Sequence, residues 1–199
     1  MTFAELTAFC LYAFVTSITP GPNNAMLANS GVNFGFYRSL PHALGVSCGL
    51  CLMILGVGLG LEGVFARYPA VFSLIKVAGA GYLVYLAWRI ASTGAPRAGG
   101  PRPTIPLGYW GAVLFQWLNP KTWLMAVGAI TVYAPHNPQL GDMVFIAMTF
   151  TLINVPCVSA WAAGGSLLKA SLAQEQRLRL FNRLMAGALL LSIYPVLIR

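Results

Sequence analysis

The sequence predicts an all-α polytopic membrane protein, its six transmembrane helices arranged as two inverted three-helix repeats. Three observations lead there. Of the 199 residues 58% are hydrophobic and 8% charged, against about a quarter charged in a typical soluble domain. No charge falls between Glu5 and Arg38, between Arg38 and Glu62, or between Asp142 and Lys169, and a spanning helix needs about 20 mainly apolar residues. The chain also divides at a proline-rich stretch into halves whose first spans each carry a proline-centred break. Four acidic residues are too few to solvate a soluble globule of this size, which argues against a soluble all-α protein with a large core.

The spans fall at about 3–27, 39–61, 69–91, 109–133, 142–167 and 182–198. The first lacks a basic leader and is too long for a signal-peptide core, so it reads as a retained helix. Its end carries Thr19-Pro20-Gly21-Pro22-Asn23-Asn24. The second holds Gly45-x-x-x-Gly49 and Gly56-x-x-x-Gly60, small-residue faces that permit close helix packing. The third presents Ala78-Gly79-Ala80-Gly81, and Lys76 is near enough to its end to snorkel. Residues 93–108 contain four prolines and read as a flexible cytoplasmic linker. The fourth span contains Gln116 and Leu118-Asn119-Pro120-Lys121, and the fifth contains Thr149, Thr151, Asn154 and Pro156. The sixth has the shortest charge-free run, Leu184 to Ile198, and crosses if Arg183 and Arg199 reach the two interfaces. Tyr82, Tyr85, Trp88, Tyr109 and Trp110 fit an interfacial aromatic belt. His42 and His136 fall near span ends and read as solvated.

Six spans put both termini on one face with Arg67 and Arg199. The opposite face carries Arg38, Arg89, Arg97, Arg102, Lys169, Arg177, Arg179 and Arg183. The basic-rich face is cytoplasmic by the positive-inside rule, which leaves both termini periplasmic. The net charge of +8 is thereby a matter of topology, and no basic domain face is left for nucleic acid.

The chain is one transporter domain over 1–199, with repeat one at 1–92 and repeat two at 109–199. Three spans per unit is an odd number, so the repeats have opposite orientations. In such transporters, paired broken helices mark the binding site. Pro20 and Pro22 remove two backbone donors and free nearby carbonyls, which lipid cannot satisfy. Candidate substrate-binding residues are therefore Pro20, Gly21, Pro22, Asn23, Asn24, Asn119, Pro120 and Lys121. Asn154 either joins them or bonds a neighbouring helix. An ammonium at the depth of Lys121 costs roughly 2.5–3.5 kcal/mol or more, so its default reading is functional.

Cys10, Cys48, Cys51 and Cys157 all fall inside spans. A single Cys48-x-x-Cys51 without a second pair is a weak metal signal, and small packing residues are the simpler reading. No metal or cofactor is called for. Phosphate-binding loops and hydrolase motifs are absent from the sequence, which argues against an enzyme or an ATP-driven pump.

Ile18-Thr19-Pro20-Gly21-Pro22-Asn23-Asn24 resembles the N-terminal signature of the LysE/RhtB amino-acid exporters. Gly79 to Trp88 (GAGYLVYLAW) resembles their third-span motif, and Gln116-Trp117-Leu118-Asn119-Pro120-Lys121 their fourth. The doubled Asn and the run Tyr85 to Ala91 look most like the cysteine/O-acetylserine efflux subgroup. The resemblance implies secondary-active efflux of small neutral amino acids across a bacterial inner membrane. Its implied partners are a small zwitterionic amino acid, protons, the lipid bilayer and a second copy of the chain. The substrate is either cysteine/O-acetylserine-like or homoserine/threonine-like. Antiport calls for a titratable group in the pathway, and with no carboxylate deep in any span Lys121 is the coupling candidate. The rival readings are a membrane redox protein using Cys48 and Cys51, and a non-transporting membrane subunit.

Overall fold

A computed structural model describes residues 1–61, 67–92, 107–135, 137–168, 170–172 and 174–191. Among the described residues it is helical, with no strand. Helix α1 (Phe3–Ile18) starts at a capping box: Thr2 Oγ1 accepts from Glu5 N–H, and Glu5 Oε2 accepts from Thr2 N–H. It ends before Pro20. Helix α2 (Pro22–Phe34) begins with a proline at its first position, where no donor is needed. The two form a bent pair, 55° apart. Gly35, at φ 86°, joins α2 to α3 (Phe36–Gly56) through a conformation that glycine adopts without strain. A π-helical turn (Val57–Leu61) follows α3.

Helix α4 (Pro69–Ser92) closes the first half. In the second half, α5 (Tyr109–Phe115) gives way to a 3₁₀ turn (Gln116–Leu118), and α6 (Pro120–Tyr133) restarts behind an Asn119 cap. Helices α7 (Leu140–Leu168) and α8 (Glu175–Leu191) complete the described chain. Both breaks foreseen from proline thus interrupt helices in the structure.

Long, apolar helices that pass as membrane spans are Phe36–Gly60, Ser73–Ser92 and Leu140–Leu168, with the bent pair α1–α2 as a fourth. Leu11, Trp88, Leu124 and Leu152 remain 57–69% exposed, as expected of side chains that face lipid rather than water. Segment boundaries differ from expectation in three main places. The bent pair α1–α2 runs on to Phe34, past the expected end near 27, before Gly35 ends the helix. Helix α3 starts at Phe36, so Arg38 lies in its first turn rather than ahead of it. The last helix starts at Glu175 rather than near 182, because Leu178, Asn182, Ala186 and Leu189 form a buried stripe on it at helical spacing. That stripe packs on α4 and α2. The end of the sixth segment, residues 192–198, lies outside the described residues. So do most of the linker, Glu62, Arg97, Arg102, His136, Lys169, Arg199 and the side chain of Lys76.

Close backbone approaches define the packing. A Cβ on Gly45 would meet Ala112 Cβ at 2.8 Å, and one on Gly49 the Val113 carbonyl at 2.7 Å, so this small-residue face carries α5. Gly60 has open space and a φ of 96°; it serves a turn rather than a helix interface. Gly31 and Gly165 bring α2 and α7 into backbone contact, against Ala162 and Ala28 respectively. Gly79 of α4 rests on the carbonyl of Leu118, so the third-span small-residue motif supports the second break.

His42 corrects the reading made from its position. It is 1% exposed, because α2 lies over this turn of α3 and places Ser30 Oγ 3.4 Å from Nδ1.

Candidate functional site

Each proline at the first break removes a helix donor, and the side chains around it take over the carbonyls left behind. Pro20 cannot donate to the Thr16 carbonyl, which accepts from Thr19 Oγ1 at 3.1 Å. Pro22 cannot donate to Ile18, whose carbonyl accepts from Trp161 Nε1 at 3.0 Å. Asn24 Nδ2 donates to the carbonyls of Ser17 and Thr19, both at 2.8 Å. Asn24 is therefore a staple across the break.

The second break is held in the same manner. Asn119 Oδ1 accepts from Lys121 N–H at 3.1 Å, capping α6, and Trp123 Nε1 donates to the Trp117 carbonyl at 2.9 Å. Gln116 is fully buried and fully satisfied. Its Oε1 accepts from Asn23 Nδ2 at 2.7 Å and Thr122 Oγ1 at 2.9 Å; its Nε2 donates to Asn23 Oδ1 at 3.2 Å and the Ala112 carbonyl at 2.8 Å.

The breaks meet. Beyond the Asn23–Gln116 pair, Lys121 Nζ reaches back to the end of α1, donating to the Thr19 carbonyl at 2.6 Å, Thr19 Oγ1 at 3.1 Å and the Pro20 carbonyl at 3.3 Å. These oxygens sit at the partially negative C-terminal end of a helix, which offsets the cost of an ammonium at this depth. Asn154 Nδ2 donates to Ser17 Oγ at 3.0 Å, and its Oδ1 accepts from Ser47 Oγ at 2.8 Å, joining α1, α3 and α7.

A polar cavity of about 20 Å³ lies between the breaks. Of the residues expected at a site, Gly21, Asn23, Asn24, Asn119, Lys121 and Asn154 line it. Pro20, Pro22 and Pro120 shape the breaks without lining the cavity. Thr16, Ser17, Thr122, Met125 and Val158 complete the wall; nothing in their local sequence separates them from ordinary span residues. Asn119 Nδ2, in a residue 1% exposed, has no hydrogen-bond partner among the described residues. A cavity needs roughly 10–15 Å³ to admit one water, so this one is closed to anything as large as an amino acid. A second cavity of about 250 Å³, bordered by Ala28, Trp161, Phe181 and Met185, is almost wholly apolar and has few groups with which to orient a zwitterion. The described residues contain no cluster of metal-ligating side chains.

Long apolar helices, an exterior rich in apolar side chains and two helix breaks that meet at a cavity mark a helical membrane protein. The chain belongs to the LysE type translocator family, which matches residues 14–198. It is 33% identical over 183 residues to the cysteine/O-acetylserine efflux protein of Escherichia coli O157:H7, covering 89% of this chain and 90% of that one. The protein of the same name from Escherichia coli strain K12 matches with the same identity and coverage. No solved structure matches the chain.

Proposed function

We propose that the protein exports small neutral amino acids or their derivatives, of the cysteine/O-acetylserine or homoserine/threonine kind, in exchange for protons. The observation that carries this reading is the junction of the two breaks, where amide side chains and one ammonium surround a cavity between helices from both halves. The family membership and the efflux relatives support the direction of transport and the substrate class. Transport proceeds by alternating access: two inverted three-helix units rock about the midplane and widen a cavity now closed to an amino acid. In this reading six spans cross the bacterial inner membrane, both termini are periplasmic, and two copies of the chain form a dimer. The amides at the breaks, Asn23, Asn24 and Asn119, together with Asn154, contribute to the zwitterion site, and Lys121 binds the carboxylate or takes part in coupling.

The test is uptake into liposomes containing purified protein, with cysteine, O-acetylserine, homoserine, threonine and lysine compared under an imposed pH gradient. Movement of the neutral members that responds to the gradient is expected. No movement of any member would favour a non-transporting subunit, and movement blind to the gradient would remove proton exchange.

A further inference from the structure

We propose that the carbonyl oxygens of Thr19 and Pro20 form the ammonium subsite of the transported amino acid, and that Lys121 Nζ competes with the substrate for it. The inference rests on the exporter reading above and chooses between the two roles left there for Lys121.

An ammonium has three hydrogens to donate and cannot accept. Lys121 Nζ has three oxygens in reach, Thr19 O, Thr19 Oγ1 and Pro20 O, so no donor remains for a carboxylate. Two of these oxygens are main-chain carbonyls. They are available because the chain leaves the helix at Thr19, where φ is −64° and ψ 146°, and the ladder does not continue through the prolines. The same acceptors suit any primary ammonium, including the one every α-amino acid carries.

The same junction also carries the other polarity. Helices α2 and α6 both point their N-terminal ends at the junction, and these ends are partially positive. Asn119 lines the cavity, and its buried Nδ2 is a donor without a partner among the described residues. In the widened cavity that transport requires, a zwitterion directs its carboxylate toward Asn119 and its ammonium toward Thr19 and Pro20, where Lys121 now lies. Two cations cannot share these lone pairs.

Gly21 leaves room for this exchange. Its φ of −179° is open to any residue, so conformation does not call for glycine here. A Cβ would instead stand 2.7 Å from Lys121 Cδ and 3.2 Å from Nζ. The lysine stem lies directly over the glycine. Neither Thr19 nor Pro20 lines the present cavity, but Lys121, which does, reaches their oxygens, so the acceptors adjoin it.

The test follows Lys121 itself. Purified wild-type protein in nanodiscs is treated with an amine-acylating reagent, alone, with O-acetylserine, or with its desamino analogue 3-acetoxypropionate. Acylation of Lys121 is read by peptide mass spectrometry as a ratio to Lys76 and Lys169, which corrects for reagent consumed by the amino acid. Binding is measured calorimetrically on the same samples. O-acetylserine is expected to raise the Lys121 ratio by about fivefold or more, the scale of ordinary site coupling, and 3-acetoxypropionate to leave it unchanged. Bound O-acetylserine that protects Lys121, or leaves its ratio unchanged, would overturn the ammonium subsite while the exporter reading stands. If O-acetylserine does not bind the wild type, the same series is run with threonine and its desamino analogue 3-hydroxybutyrate, and no binding of either amino acid overturns both readings. As a second measurement, folded Lys121→Met is expected to bind O-acetylserine at least as tightly as wild type, and a tenfold or greater loss, about 1.4 kcal/mol, would also sink the proposal.

Discussion

Asn23 and Gln116, 93 residues apart in sequence, hold each other's side-chain amides by reciprocal hydrogen bonds of 2.7 and 3.2 Å. One sits in the first turn of α2 just past the first break, and the other opens the 3₁₀ turn of the second. The pair ties the two interruptions into one object. If the halves move against each other during transport, these bonds are among those that must open or turn.

Removing Gln116 strips the Asn23 amide of both these bonds, and removing Asn23 costs Gln116 two of its four. Asn23→Ala and Gln116→Ala are each expected to destabilise the folded protein by about 1–2 kcal/mol. The double variant should lose less than the sum, because the bonds are shared. Unfolding of the three variants in one detergent measures the coupling; strictly additive losses would deny it.

Lys121→Ala is expected to abolish efflux from cells while the protein stays in the membrane at wild-type level. The variant loses a cation that bridges α6 to the end of α1. Export assays normalised to membrane-fraction abundance check this, and full export would remove Lys121 from the mechanism.

Small-residue contacts separate on position rather than on residue type. Gly31→Ala and Gly165→Ala force a methyl into the facing backbone of α7 and α2. Each should cost about 1–3 kcal/mol, the range for overpacking. Gly164→Ala, one residue from Gly165 but with nothing within 4 Å of its Cβ position, should be close to neutral. Thermal denaturation of the three distinguishes them.

Cys48 and Cys51 are free thiols on one helix, neither in a disulfide. Replacing both by Ser is expected to leave transport in liposomes within about twofold of wild type, since neither lines the polar cavity. Complete loss of activity in a well-folded double variant would revive the redox reading.

Much of this protein follows from the sequence alone. The charge-free runs fix a membrane-embedded helical chain, because lipid admits few charges and demands an internally bonded backbone. Prolines fix where the helices break near residues 20 and 120, since a residue without an N–H cannot continue the ladder wherever it sits. The tertiary structure decided how each break is held and what it meets. Local sequence could not pair Asn23 with Gln116 or send Asn24 back to α1, because an amide's partner depends on which helix lies opposite. It also gave no sign that Thr16, Ser17, Thr122 and Val158 reach the cavity, or that His42 is covered by α2. For Lys121 the sequence supplied a cation at an expensive depth. Only the folded chain, by carrying the end of α1 to the start of α6, supplied the carbonyls that hold it.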